Sequence, residues 1–129
     1  LLAALERGTF GPIDASRRYA TGISSGGYMS SRMALSFPGT FRALAIHSAS
    51  WATCAGAACV LPASLPVDHP PTRLLHGRGD LTVPLFTAET YATALTAQGL
   101  VGELVIDDTA GHEWLPTSPE LILEWFQTH

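Results

Sequence analysis

The sequence predicts an α/β chain: a parallel sheet of about four strands with flanking helices. Three observations carry that reading. Short strand-like apolar runs alternate with stretches of helical periodicity, the order that puts crossover helices between parallel strands. Two of the runs end in glycine-rich turns, at Gly22 and Gly77, where a parallel sheet delivers side chains to one edge. The chain is 47% hydrophobic with a net charge of -4 over 129 residues, enough for one core and too apolar for disorder, so residues 1–129 read as a single domain.

Taken in order, the opening Leu1–Arg7 reads as the end of a helix. Because the chain starts without methionine and in mid-element, truncation or processing is expected. Strands are expected near residues 18–21, 41–48, 73–76 and 103–107. The helix after the first strand starts at Gly26-Gly27, small enough to sit tight on the sheet, and stops at Pro38-Gly39. A second helix spans about Leu85–Gln98, with Ala88, Tyr91, Ala92 and Leu95 on one face and Gly99 as its stop. The last is signalled by Ser118 as N-cap and Pro119 at the first helical position, with Leu121, Ile122, Trp125 and Phe126 facing the core.

Several function classes are disfavoured. There is no lysine, and the seven arginines form no basic stripe of the kind nucleic acid requires. No apolar run approaches a membrane span, and the first seven residues are too short for a signal peptide's apolar region. The histidines are dispersed, with no His-Glu-x-x-His or Cys-x-x-Cys pattern, so neither a metal nor another cofactor is expected.

The residues that carry chemistry begin at Gly22-Ile23-Ser24-Ser25-Gly26. A serine on a sharp strand-to-helix turn projects its hydroxyl clear of the sheet, and the turn needs small residues two before and two after it. Only Ser24 fits, since Ser25 would need glycine at Ile23. A serine hydroxyl is a weak nucleophile until a base takes its proton, and the base needs a third group to hold it. Asp80, in the turn His76-Gly77-Arg78-Gly79-Asp80, is the candidate acid, although an aspartate there also suits the cap of the next helix. His112, in Gly111-His112-Glu113-Trp114 after the last strand, is the candidate base. His47 lies inside an apolar strand, His69 in a proline-rich loop and His129 at the terminus, while His76 is expected to shape the acid's turn. The N–H of Ser25 is the candidate oxyanion donor.

Residues 50–71 carry four prolines and both cysteines in an irregular stretch long enough to suggest function. Trp51, with Leu61-Pro62 and Leu65-Pro66, is expected either to wall the site over Ser24 or simply to pack. Trp114 is the stronger candidate for a substrate-facing aromatic. Cys54 and Cys59 fit either a small disulfide loop, which would imply an oxidising compartment and secretion, or two free thiols.

Together, Gly22-Ile23-Ser24-Ser25-Gly26-Gly27-Tyr28-Met29, His76-Gly77-x-x-Asp80-x-x-Val83-Pro84 and Gly111-His112-Glu113-Trp114 resemble the α/β-hydrolases of the polyhydroxybutyrate depolymerase and feruloyl esterase group. The resemblance spans nearly the whole chain but only the second half of that fold, a truncated α/β-hydrolase. It implies a serine carboxylesterase acting on a small or polymeric ester, with Ser24, Asp80 and His112 as its triad. The Ser-x-Gly-Gly-Tyr-Met stretch is also similar to prolyl oligopeptidase-type peptidases, and a non-catalytic hydrolase-like module is the third reading. With the fold's first strands goes a loop that usually donates one oxyanion N–H. Their absence also leaves the elbow strand as a free edge, expected to pair with a second copy across a twofold axis or with a separate N-terminal segment.

Overall fold

Four strands form where the apolar runs lie. In the computed structural model, which describes residues 1–129, these are β1 (Tyr19–Ile23), β2 (Ala43–His47), β3 (Thr72–Gly77) and β4 (Gly102–Asp107). They make one wholly parallel sheet in the order β1-β2-β3-β4. A short α1 (Leu2–Glu6) precedes β1, α2 (Ser25–Ser36) joins β1 to β2, α3 (Leu85–Ala97) joins β3 to β4, and α4 (Ser118–Thr128) follows β4.

Side-chain alternation along the central strands divides the core in two. Leu44, Ile46 and Leu74 face α2 and α3, where they meet Ala34, Ala88, Tyr91 and Leu95. Ala45 and Leu75 face the other way, against Leu115 and Ile122 on the α4 side. Parallel neighbours need a crossover, and between β2 and β3 no helix supplies it. Residues 48–71 do so as irregular chain, with Trp51, Cys54 and Leu65 inserted into the α2/α3 core. Trp51 is only 3% exposed and packs edge-on to Tyr91, so the packing role holds and the expected wall over Ser24 does not. An apolar indole gains more from that filled core than from solvent. Cys54 and Cys59 are disulfide-bonded, closing a small loop in which Ala55 and Ala58 exchange two backbone hydrogen bonds.

The helix faces follow the apolar periodicity, but two boundaries differ. β1 runs on to Ile23 because it pairs with β2 through Ile23 and His47. Ser118 is not the N-cap of α4: Thr117 occupies that position, and Ser118 is the first helical residue, fully buried. The Ser118 N–H donates to the Leu115 carbonyl at 3.0 Å, which winds the chain early and leaves Pro119 in the first turn, where its missing N–H has no helical partner to lose.

The β1 flank is open. Beyond the free edge of β1 lies a broad groove lined by Leu2, Leu5, Tyr19, Met33, Phe41 and Phe126 among others. Arg18 reaches across it to Glu6 at 3.2 Å and so ties α1 to the strand. No helix is long and apolar enough to cross a membrane.

Candidate active site

The site stands at the carboxyl edge of the sheet, where three loops converge. Ser24 follows β1 directly and adopts φ 54°, ψ -121°, a conformation that disfavours any residue with a side chain. Its N–H donates to the His47 carbonyl at 2.9 Å, and its carbonyl accepts from Tyr28 at 3.0 Å, so sheet and helix together hold the bend. Glycine spacing makes the bend possible, but not quite as the pattern suggests. A Cβ on Gly22 would sit 2.5 Å from the Gly26 carbonyl carbon, and one on Gly27 would sit 2.6 Å from the Ala49 Cβ, whereas one on Gly26 meets nothing within 4 Å. Gly26 therefore matters for the closeness of its backbone to Gly22, and Gly27 is the residue that lets α2 lie on the sheet. Ser25 opens α2, so its N–H has no carbonyl one turn earlier inside the helix.

Asp80 lies in the turn after β3 and is 4% exposed. Its Oδ1 accepts the N–H groups of Thr82 at 2.9 Å and Val83 at 2.8 Å, and its Oδ2 accepts from His112 Nδ1 at 2.8 Å. Pro84, not Asp80, occupies the N-cap of α3, so the capping role is absent. Burial alone would raise this carboxyl, but the hydrogen bonds from Val83, His112 and Thr82, with the charge of His112, outweigh it and hold the group below the usual carboxylate range. His76 shapes this turn, as expected: its Nε2–H donates to the Val83 carbonyl at 2.8 Å and lies 3.4 Å from Asp80 Oδ2.

His112 is carried by the loop after β4. Asp107 begins that loop, accepting from the Thr109 and Ala110 N–H groups at 2.8 and 3.1 Å. The Ala110 carbonyl then accepts from Gly79 at 2.9 Å, which joins the histidine's loop to the aspartate's. The loops approach so closely that a Cβ on Gly77 would lie 2.6 Å from the Ala110 oxygen. His112 Nε2 is 3.0 Å from Ser24 Oγ. Because a carboxylate only accepts, Nδ1 carries the proton and Nε2 is free to accept from the serine hydroxyl. Ser24, His112 and Asp80 are thus one hydrogen-bonded row, with the histidine partly open to solvent.

Trp114, two residues on, is 43% exposed and stacks on the His47 ring at 5.0 Å. His47 is fully buried, and its Nε2 accepts the Leu115 N–H at 3.2 Å. Burial, reinforced by His76 and His112 and opposed by Asp80, pushes its pKa down to about 4. Sequence reasoning set this histidine aside as part of an apolar strand; its partner lies 68 positions away, so no local signal marks it.

No protein-family model matches the chain. It is 53% identical over all 129 residues to the poly(3-hydroxyoctanoate) depolymerase of Pseudomonas fluorescens, and spans 46% of that protein. Among solved structures, 98% of the chain superposes on 57% of esterase PE8 with a TM-score of 0.76 at 22% identity. The same share superposes on 26% of the Pyrococcus horikoshii acylaminoacyl peptidase, with a TM-score of 0.71 at 18% identity. The chain spans about half the length of the curated relative it matches. In fold it is therefore about half of an α/β-hydrolase, and in sequence it is related to a poly(3-hydroxyoctanoate) depolymerase.

Proposed function

We propose that this chain carries the reaction centre of a serine ester hydrolase. The observation behind the proposal is the row Asp80–His112–Ser24, hydrogen-bonded at 2.8 and 3.0 Å on a strained elbow. Packing alone needs neither that row nor its alignment, which argues against a non-catalytic module. His112 Nε2 takes the Ser24 proton as Oγ attacks the ester carbonyl, and Asp80 stabilises the imidazolium that forms. The Ser25 N–H faces the developing oxyanion. His112 then gives the proton to the departing alkoxide and later deprotonates the water that releases the acyl group. Trp114 borders His112 and offers an exposed aromatic surface to the acyl or alcohol portion.

The relationship to a poly(3-hydroxyoctanoate) depolymerase supports an ester of a 3-hydroxyalkanoate type as substrate, ahead of the amide that the peptidase resemblance suggests. The Cys54–Cys59 disulfide supports an oxidising, extracytoplasmic setting. The open β1 flank supports a partner there, either a separate N-terminal segment that extends the sheet or β1 of a second copy. A monomeric mass in solution removes the second copy.

The test is hydrolysis of p-nitrophenyl butyrate and of a peptide p-nitroanilide by the chain and by Ser24→Ala. Ester turnover that falls by about 10⁵-fold or more in the variant, with fluorophosphonate labelling lost, is the expected result. Equal turnover in both proteins removes Ser24 from the reaction, and faster amide cleavage favours the peptidase reading.

A further inference from the structure

The loop that presents His112 is anchored at two places. Upstream, the Ala110 carbonyl is held by the Gly79 N–H. Downstream, the next two residues after Glu113 both rest on one side chain: Trp114 stacks on the His47 ring with an interplanar angle of 18°, and the Leu115 N–H donates to His47 Nε2. The same residue's carbonyl accepts the Ser24 N–H. His47 thus touches the serine's bend through its backbone and the histidine's loop through its side chain, and does so from the end of a central strand.

The chemistry of the contact specifies the ring. A backbone N–H can only donate, so Nε2 must be unprotonated and the proton must sit on Nδ1. Nδ1 is itself buried with no protein partner, so the alternative tautomer would trade a made hydrogen bond for a clash of two donors. A protonated ring has the same defect. A hydrophobic residue of similar size would fill the space but leave the buried Leu115 N–H without an acceptor.

We propose that His47 is a positioning residue: as a neutral acceptor for Leu115 and a platform for Trp114, it fixes the loop that brings His112 to Ser24. This rests on the reading of His112 as the base. It acts only through that loop and touches no reacting atom. A displacement of about 1 Å at such a site can cost about 10²-fold in rate. The clamp also gives the site a second sensitivity to acid, separate from protonation of His112. Protonating His47 at low pH opposes the Leu115 hydrogen bond. The ionisable groups that bear on it are His76 and His112, which resist that protonation, and Asp80, which favours it.

Two substitutions and one measurement without substitution test the proposal. His47→Phe keeps the ring and loses the acceptor; His47→Gln loses the ring but carries an oxygen near the place of Nε2. The expected result with p-nitrophenyl butyrate is a drop in kcat of about 10- to 100-fold for the Phe variant, with KM changed less than about threefold, and recovery of most of that loss in the Gln variant. Nitrogen-15 NMR of the unsubstituted chain is expected to report His47 protonated at Nδ1 only. On acidification, the Leu115 amide and the His112 ring signals should shift together with His47 titration. The NMR arm does not need turnover, so it separates failure of the clamp from failure of the esterase reading. A Leu115 amide indifferent to His47 ionisation, or a folded Phe variant with unchanged kcat, overturns the proposal.

Discussion

The carboxyl edge of the sheet and the flank along β1 are built on opposite terms. At the edge, short loops are tied to one another and to the sheet by directed hydrogen bonds: Asp80 has three partners, Ala110 is held by Gly79, and Leu115 by His47. Along the flank, a strand edge and apolar side chains from α1, α2 and α4 face an open groove. Leu1 and Leu123 line it while largely exposed. Directional bonds between neighbouring loops can therefore hold the Asp80–His112–Ser24 row in about half a fold, whereas burial of apolar surface scales with how much chain is present.

The largest effect expected from breaking the ordered side is on Asp80→Asn. The amide can still accept at Oδ1 but no longer stabilises His112 as a cation, so kcat for p-nitrophenyl butyrate should fall by about 10⁴-fold while KM stays close to its starting value. A drop below about tenfold would mean that Asp80 serves only the fold of its turn. Gly77→Ala should be next. Its methyl group meets backbone on the histidine's loop, so a loss of about 1–3 kcal/mol in urea unfolding is expected, with a parallel fall in kcat. Gly26→Ala is the matched control: with open space at its Cβ, it should change stability by no more than about 1 kcal/mol.

Much of this edge was legible because its parts are local. The Ser24, Asp80 and His112 turns each carry glycine near the chemical residue, and each follows an apolar run, so spacing together with the order serine, acid, histidine points to them. What remained illegible depends on partners far along the chain. Trp51 lies in a proline-rich segment without periodicity, and only the Tyr91 and His69 rings that meet it fix it as core. The disulfide reading stayed open beside free thiols because a Cys-x₄-Cys spacing fixes no backbone course; the paired Ala55 and Ala58 do. Ser118 was read as a cap because its hydroxyl suits one, but the Leu115 carbonyl captured its N–H first.

Acid should also separate the two regions. His47 and His69 are both held below the ordinary histidine value of 6.5, each chiefly by burial, so the unfolded chain takes up these protons before the folded one does. The stability they contribute is whole above about pH 6.5 and is lost as pH falls below it, for His47 until about pH 4, by up to about 1.4 kcal/mol per pH unit for each group while only the unfolded form is protonated. Asp80, held below the ordinary aspartate value of 3.8, adds to this only in more acidic solution. Urea midpoints at pH 7 and pH 5 test the sign, and a midpoint that rises in acid contradicts it. The smallest effect belongs to the open side: Leu123→Gln, at a residue 58% exposed in the groove, should alter stability by less than about 0.5 kcal/mol yet lower self-association measured by light scattering.

Because the strands enter the sheet in the order in which they are synthesised, each new one docks on its predecessor and no gap waits to be filled later. A nascent chain can therefore lay these four strands side by side in turn, without rearrangement among them. The serine's bend needs only β1, α2 and β2, whereas His112 follows β4, 88 residues behind Ser24. The serine's bend can thus form early, and His112 reaches its hydroxyl only once all four strands lie side by side.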